Sequence, residues 1–375
     1  MRSVEYALNR SRFDVLLELD VFGNWMYSFL RDRTQSVMVD GHASAPAPVL
    51  SGVPQGSVLG PIIFLILLGD IDDDVTNSFI SRFADDTRIG RAVNNAADSQ
   101  MLQSDLDSVY RWATVKNMAF NEEKFETIHY GNNISSADIV SYKTCTGTDI
   151  ERKNTVKDLG VQTDDDCRFR TQIATVVSKV KRVTGWILRT FETRERLPLL
   201  TLWKSLILPI LDYCVQLWCP IEKGHIQDIE NLQRSFTRQI LGLRDQDYWQ
   251  RLKTLKLYSL QRRRERYHII YIWKMIEGLV PNSPKISTIK NPRRGRFISL
   301  PDYKNLRCKA VQKIRDNSFA QRAGRLFNSL PIHVRAVSGC TVDTFKSVLD
   351  RWLSTVDDQP SVTGYVNCYR DNSLV

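Results

Sequence analysis

Residues 50–61 of the 375-residue chain read LSGVPQGSVLGP, and residues 79–90 read FISRFADDTRIG. The first stretch predicts a turn that leads into a buried helix, because Pro61 fits the first helical turn before an apolar run. The second stretch predicts a β-hairpin, with β-like runs at 79–83 and 87–90 on either side of an acidic tip. Turn, helix and hairpin in this order favour a fold in which helices pack on strands.

The segments around these two stretches extend the same pattern. Val37 and Val39 alternate into an Asp40-Gly41 turn, and a second strand is expected at 49–53. Apolar residues recur at helical spacing through 102–113, and further strands are expected near 118–120 and 125–130. The predicted fold class for this part is α+β, an antiparallel sheet with helices on one face.

The second half of the chain is predicted to be mainly helical. Apolar stripes run through 173–187 and 226–240, and a helix pair is expected between 249 and 277. Residues 281–302 are expected to form a basic loop, and a last helical group is expected at 305–353.

Composition favours a globular protein that stays inside the cell. Hydrophobic residues make up 42% of the chain and charged residues 25%, and no uninterrupted apolar run is long enough to cross a bilayer. The N-terminus lacks the layout of a secretory signal, and the seven scattered cysteines indicate reduced thiols. The expected location is the cytoplasm or the nucleus.

Charge is divided unevenly along the chain. Residues 1–166 hold 15 Lys and Arg against 25 Asp and Glu, a net charge of −10, whereas residues 167–375 carry +20. This division suggests an acidic part that holds metal ions and a basic part that holds a polyanion. A solvated basic face would carry the same charge.

Asp85 and Asp86 are neighbours at the predicted hairpin tip. Carboxylate oxygens are hard ligands that suit Mg²⁺, and a turn presents them without burying an unpaired charge. Adjacent aspartates also occur in turns for local hydrogen bonding alone. The assignment of the pair as a metal site therefore depends on the motifs around it.

Four motifs in order resemble the reverse transcriptases of non-LTR, LINE-type retrotransposons, especially the jockey-like group. SGVPQGSVLGP at 51–61 is similar to motif B of that family, and FADD at 83–86 is similar to its motif C. Residues 112–131 resemble motif D, and KDLGV at 157–161 resembles the primer-grip segment that follows it. Residues 203–220 and the basic tail also resemble the thumb and C-terminal region of such elements.

The resemblance implies an RNA-directed DNA polymerase, in which two metal ions, Mg²⁺ or Mn²⁺, support template-primed nucleotidyl transfer. The implied partners are an RNA template, a DNA primer and deoxynucleotides, with no membrane. The implied organisation is a partial polymerase palm at 1–166, a helical thumb at 167–245 and a basic helical C-terminal region at 246–375.

The resemblance also implies roles for individual residues. Asp85 and Asp86 would be the catalytic metal ligands, and Phe83 replaces the more common tyrosine beside the primer. The Gln55-Gly56 turn would face the template and the incoming nucleotide, since glycine lets the backbone approach a base pair closely. Lys124 would assist the pyrophosphate as a cation or proton donor, or else it is a solvated lysine on a strand.

One part of the family's pattern has no counterpart in the sequence. Motif A, which supplies a further aspartate, is expected to precede Met1, because residues 13–25 resemble the stretch that follows it. Asp14 and Asp20 lie in a helix-like segment and are poor substitutes. Loss of one member of a catalytic set commonly costs several orders of magnitude in rate.

Two hypotheses follow from these motifs. The first is a reverse transcriptase domain that is N-terminally truncated and inactive as this fragment. The second is a catalytically dead nucleic-acid-binding remnant that uses its basic thumb and tail.

The densest basic segment lies at 290–325, where 11 Lys and Arg stand against two aspartates. Arg293, Arg294 and Arg296 are expected to contact the nucleic-acid backbone. Phe297 and Tyr303 are available to stack on unpaired bases. The alternative is a mobile, solvated loop.

Overall fold

A computed structural model describes residues 20–49, 52–131, 141–281, 283–291, 295–304 and 309–358. The chain divides into two compact units, the first unit Met1–Lys153 and the second unit Asn154–Val375. KDLGV at 157–161 therefore belongs to the second unit, whereas the sequence grouped it with the palm. The three-part division into palm, thumb and C-terminal region stays a prediction.

In the described part of the first unit, helices are interspersed with short strands. The elements are α1 (Asp20–Leu30), β1 (Thr34–Gln35), β2 (Met38–Val39), β3 (His42–Ala43), β4 (Ala47–Pro48), α2 (Gly60–Leu67), β5 (Phe79–Phe83), β6 (Asp86–Gly90), α3 (Ala96–Val115), β7 (Glu126–Thr127) and β8 (Glu151–Arg152). Short 3₁₀ turns follow α2 and precede β7, at Leu68–Asp70 and Glu122–Lys124.

The second unit is mainly helical, as the sequence predicted. Its described elements are β9 (Thr155–Asp158), β10 (Val161–Asp164), α4 (Arg170–Thr190), α5 (Arg196–Leu202), α6 (Leu208–Asp212), α7 (Val215–Trp218), α8 (Lys223–Thr237), α9 (Tyr248–Leu255), α10 (Leu260–Ile276), β11 (Thr288–Asn291), β12 (Gly295–Ile298), α11 (Lys309–Asp316), α12 (Phe319–Ser329), α13 (Ile332–Arg335) and α14 (Val342–Leu353). A π-helical turn, Trp203–Ile207, joins α5 to α6.

The mixture of helices and small sheets agrees with the predicted α+β class. Each sheet among the described residues has two strands. One sheet is parallel, β7 with β8. The others are antiparallel: β1 with β4, β2 with β3, β5 with β6, β9 with β10 and β11 with β12. These pairs do not join into the single antiparallel sheet that the sequence predicted.

Several strands lie away from their predicted positions. The chain returns earlier than the strand expected at 49–53: Asp40 and Gly41 both have positive φ and form a two-residue turn, so that β3 pairs with β2 at once and β4 then pairs with β1. Residues 50 and 51 of the expected strand lie outside the described residues. No strand forms at 118–120, where Met118 and Phe120 pack against the core instead. Within 125–130 only Glu126–Thr127 is a strand.

The main core of the first unit joins the elements that carry the motifs. Leu68 and Ile71 follow α2, and they pack with Val109, Trp112 and Ala113 of α3. The partly buried side chains that complete this cluster include Ile80 and Ile89 from β5 and β6. The cluster therefore seats the acidic hairpin on the same core as the helix of the first motif.

Among the described residues of the second unit, two hydrophobic cores are large, and a smaller cluster is formed by Tyr248, Trp249 and Leu252. The first core collects buried residues from Val161 to Leu260, and the second collects buried residues from Ile269 to Leu353. Helix α10 contributes to both, since Leu260 belongs to the first core and Trp273 to the second. Trp273 stacks on Phe345 with ring centroids 4.4 Å apart.

Residues 281–302 are not the loop that the sequence predicted, because β11 and β12 form a hairpin there. Asn328 holds Ile298 from 30 residues away: its side chain accepts a hydrogen bond from the Ile298 N–H at 2.8 Å and donates one to the Ile298 carbonyl at 3.0 Å. Such a distant partner leaves no local signal in the sequence.

None of the helices described in this structure is both long enough and apolar enough to cross a bilayer.

Candidate metal and nucleotide site

The tip of the β5–β6 hairpin presents two carboxylates to solvent. Phe83 pairs with Asp86 in the register, so Ala84 and Asp85 form a two-residue loop. Asp85 and Asp86 are both exposed. Ala84 has a φ of +54°, a left-handed conformation that costs a non-glycine residue about 1 kcal/mol. The predicted acidic hairpin is therefore present, and its turn is held in a sparsely populated conformation.

Phe83 lies beside the carboxylates on the same hairpin, and 64% of its surface is exposed. Phe79 on the same strand is 66% exposed. The opposite face of the strand carries Ile80, which is partly buried against the core. One face of the hairpin is therefore anchored, and the other offers aromatic surface next to Asp85 and Asp86.

The Gln55-Gly56 turn is also exposed, and Gly56 has a φ of +78° that favours glycine. The Ser57 hydroxyl donates to the Pro54 carbonyl at 2.8 Å and accepts from the Gly60 N–H at 2.9 Å. A Cβ on Gly60 would lie only 2.6 Å from that carbonyl oxygen. The turn is therefore packed against the first residue of α2, which explains a glycine at the start of this helix.

Lys124 is exposed and ends a 3₁₀ turn. It therefore does not lie on a strand, which was the position expected if it were only a solvated lysine. The turn follows Phe120, which belongs to the same core cluster as the acidic hairpin. The structure thus attaches the segments of motifs C and D to one core, together with Phe64 of α2, the helix that follows motif B.

The described residues contain no group of three or more His, Cys, Asp or Glu side chains arranged to hold a metal ion. Asp85 and Asp86 supply two carboxylates from one turn. Asp20 is the first residue of α1, and Asp14 lies outside the described residues. The donors present are therefore of the kind that Mg²⁺ prefers, but they are too few to complete its coordination.

The KDLGV segment forms the β9–β10 hairpin, in which Leu159 and Gly160 have φ values of +43° and +85°. The Tyr213 hydroxyl donates to the Leu159 carbonyl at 2.6 Å. The buried carboxylate of Asp164 accepts from the Thr155 hydroxyl at 3.0 Å and from the N–H of residue 171 at 3.2 Å. This side chain ties the hairpin to the start of α4, a role that sequence reasoning missed.

The predicted phosphate contacts are only partly described. Arg293 and Arg294 lie outside the described residues. Arg296 is on β12 and forms a largely buried ion pair with Glu277, whose Oε1 lies 2.6 Å from the guanidinium. A phosphate would have to compete with this carboxylate. The guanidinium of Arg315 lies over the ring of Tyr303, 5.6 Å from its centroid.

Sequence reasoning missed a basic surface on α4. The helix contains no acidic residue, and one side of it is buried in the first core of the second unit. Lys179, Arg182 and Arg189 are exposed, and no carboxylate among the described residues lies within ion-pair distance of them. Trp186, which is 48% exposed, lies among them. The sequence does contain a signal for this surface, a 21-residue amphipathic helix without a single carboxylate.

Comparison with known proteins identifies relatives of the chain. Residues 10–163 match the family model described as reverse transcriptase (RNA-dependent DNA polymerase). The chain is 31% identical over 249 residues to the RNA-directed DNA polymerase from mobile element jockey of Drosophila melanogaster, covering 61% of this chain and 26% of that protein. It is 30% identical over 231 residues to the corresponding jockey protein of Drosophila funebris, covering 57% and 24%.

A third relative is the probable RNA-directed DNA polymerase from transposon X-element of Drosophila melanogaster, 26% identical over 262 residues, covering 64% of this chain and 28% of that protein. No solved structure matches the chain. The chain spans about a quarter of the length of the curated relatives it matches. The motifs and these matches agree: residues 10–163 are similar to the reverse transcriptase family, and the chain is similar to the RNA-directed DNA polymerases of the jockey and X-element mobile elements.

Proposed function

We propose that the chain takes part in template-primed DNA synthesis on RNA, with the first unit as the palm and the helices of the second unit as the thumb. The observation that carries the proposal is the exposed Asp85-Asp86 tip, seated on the same core as Phe64 of α2, the helix into which motif B leads. Asp85 and Asp86 would hold the divalent ions. Mg²⁺ or Mn²⁺ in such a site would activate the primer hydroxyl and neutralise the leaving pyrophosphate.

The residues around the tip have complementary tasks in this proposal. Phe83 offers an aromatic face beside the primer end, and the exposed Gln55-Gly56 turn offers backbone to the template base pair. Lys124 would supply positive charge to the pyrophosphate. Further ligands, from substrate phosphates or other carboxylates, would complete the metal coordination.

The basic surface of α4 supports the proposed grip on nucleic acid. Arg182, Trp186 and Arg189 are exposed at spacings of four and three residues, so they lie along one side of the helix. Guanidinium groups bind phosphates, and an indole stacks on bases. The surface fits a polyanion better than a solvated face, because it holds no carboxylate that would balance its charge.

The first test measures metal binding at the acidic tip by calorimetry with Mn²⁺. We expect the double variant Asp85→Asn/Asp86→Asn to weaken Mn²⁺ binding by at least about tenfold, since it removes both anionic donors. The matched control is Asp73→Asn/Asp74→Asn, a second pair of exposed adjacent aspartates in the same unit. Equal Mn²⁺ affinity in the wild type and the tip variant would remove the metal assignment.

A binding assay on primed RNA separates this function from the second candidate, a nucleic-acid-binding protein without chemistry. That candidate is favoured by the two-carboxylate tip, which lacks a third ligand among the described residues. If Mn²⁺ strengthens binding of the primed template through Asp85 and Asp86, the polymerase proposal gains support. Binding that depends on salt alone, with no effect of Mn²⁺ or of the tip variant, would favour the second candidate.

The salt dependence of single-stranded RNA binding tests the basic segment at 290–325. Each phosphate contact contributes about −0.7 to the slope of log K against log salt. We expect Arg293→Gln/Arg294→Gln to flatten this slope by roughly 1.4, because two contacts are lost. Arg296→Gln should leave the slope unchanged, since Glu277 already engages that side chain. An unchanged slope in the double variant would exclude this segment from the binding surface.

A further inference from the structure

We propose that Asp105 is the positioning residue of the acidic hairpin: from α3 it fixes the base of β5 and thereby the placement of Asp85 and Asp86. The inference rests on the proposed function, because it concerns the hairpin to which that function assigns the metal ions. It is carried by a set of hydrogen bonds around Asn77 that no motif of the sequence predicts.

The carboxylate of Asp105 is buried, with 2% of the residue exposed, and it binds the segment that leads into β5. It accepts hydrogen bonds from the N–H of Asn77 at 3.0 Å, from the Asn77 side-chain amide at 3.2 Å and from the N–H of Thr76 at 3.3 Å. Burial raises the pKa of Asp105, but the hydrogen bonds from the 76–78 segment outweigh it and lower the pKa overall. The carboxylate is therefore charged at neutral pH and committed to this segment.

A second contact closes the base of the hairpin from the other side. Arg91 follows β6, and its guanidinium donates to the carbonyl of Asn77. The same guanidinium binds the carboxylate of Asp98, in the first turn of α3, at 3.1 Å. Asn77 is thus held between Asp105 and Arg91, so both strands of the hairpin are tied to one helix.

Apolar packing alone holds the hairpin weakly. On β5 only Ile80 is partly buried, whereas the other four residues of the strand are exposed. Each strand is five residues long, so the tip lies about 17 Å from the base. Arg82, next to Phe83, adds a hydrogen bond to the Leu68 carbonyl and an ion pair with Asp72 at 3.1 Å, so Asp105 fixes the base while Arg82 holds the strand nearer the tip. A tilt of about 10° about the Arg82 contact or the base would move the carboxylates by up to about 3 Å over that length. Displacements of about 1 Å already cost much of the catalytic rate in well-positioned sites.

The test compares Asp105→Asn with the wild-type chain by hydrogen–deuterium exchange and by Mn²⁺ calorimetry. The amide nitrogen of asparagine would face the N–H of Asn77 or Thr76, so at least one hydrogen bond is lost. We expect exchange at 79–90 to rise by about tenfold and Mn²⁺ to bind about fivefold more weakly, while exchange in α3 stays unchanged. The matched control is Asp107→Asn, an exposed carboxylate on the same helix, which should match the wild type.

The outcomes separate the inference from the function on which it rests. Unchanged exchange at 79–90, or a uniform rise across the whole first unit, would overturn the positioning role of Asp105. If Asp105→Asn does not fold, Asn77→Ala removes the side-chain bonds to Asp105 and Thr76 but keeps the backbone bonds to Asp105, and it should raise exchange at 79–90 by a smaller factor. No rise would overturn the role. If Asp85→Asn/Asp86→Asn leaves Mn²⁺ binding intact, the metal assignment fails, and the exchange data still decide for or against Asp105.

Discussion

Acid should weaken the second unit by about 3 kcal/mol between pH 7 and pH 4 through His268 alone. Burial, followed by the positive charges of Arg322 and Arg264, lowers the pKa of His268 to about 3. The imidazole lies in α10, is 2% exposed and meets the ring of Phe319 edge-on at 5.6 Å. A histidine in the unfolded chain has a pKa near 6.5. The folded state therefore binds fewer protons between these values, and stability that is full above pH 6.5 is lost as the pH falls towards 3.

Urea unfolding at pH 7 and pH 4 measures this effect. His268→Gln has no titrating group at this position, so its loss of unfolding free energy over the same range should be about 3 kcal/mol smaller than that of the wild type. His333→Gln, which changes an exposed histidine of the same unit, should behave like the wild type. Equal acid sensitivity of the His268→Gln variant and the wild type would contradict a neutral, buried His268.

Removing the carboxylate of Glu230 should destabilise the second unit by about 4 kcal/mol. Glu230 is fully buried on α8, and it accepts hydrogen bonds from the Tyr248 hydroxyl, from the N–H of Leu260 at 3.1 Å and from the N–H of Gln261 at 3.3 Å. These donors have little access to water, so Glu230→Ala leaves them without an acceptor. The carboxylate thereby joins α8 to α9 and to the first turn of α10.

Chemical denaturation of Glu230→Ala gives the magnitude, and two further variants interpret it. Asp228→Ala changes an exposed carboxylate on the same helix and should alter the unfolding free energy by less than about 0.5 kcal/mol. Tyr248→Phe should cost about 1 kcal/mol, because the two backbone N–H groups keep their acceptor. A loss below about 1 kcal/mol in Glu230→Ala would show that water satisfies these donors.

The parts of the fold that could be predicted from the sequence depend on neighbours in the chain. The acidic hairpin was predicted at 79–83 and 87–90 and is found at Phe79–Phe83 and Asp86–Gly90, since β propensity and turn residues act locally. The helix through 102–113 is confirmed within Ala96–Val115, because its apolar period is regular. The assignment of Asp85 and Asp86 as metal ligands stays a prediction.

The parts that could not be predicted depend on partners far apart in sequence. Arg296 appeared free for phosphate, but Glu277 lies 19 residues earlier and binds it. The β11–β12 hairpin was expected to be a loop, and Asn328 satisfies its backbone from 30 residues away. Asp105 belongs to no recognisable motif, and the Asn77 that it binds lies 28 residues earlier in the chain. Spacing within one element cannot report such contacts, because they arise only when elements pack together.

Helix α10 also determines which parts of the second unit can be separated from one another. Besides the cores at its two ends, it binds Asp212 of α6 through Arg263 at 2.6 Å and Asp350 of α14 through Arg266 at 2.7 Å. A fragment that ends before Leu260 would lack one buried residue of the first core. It would also lack Arg263, so the carboxylate of Asp212 would lose this ion-pair partner. The helices from α10 onward therefore do not form a module that is independent of the first core. A recombination event that keeps the protein folded has to carry both cores together.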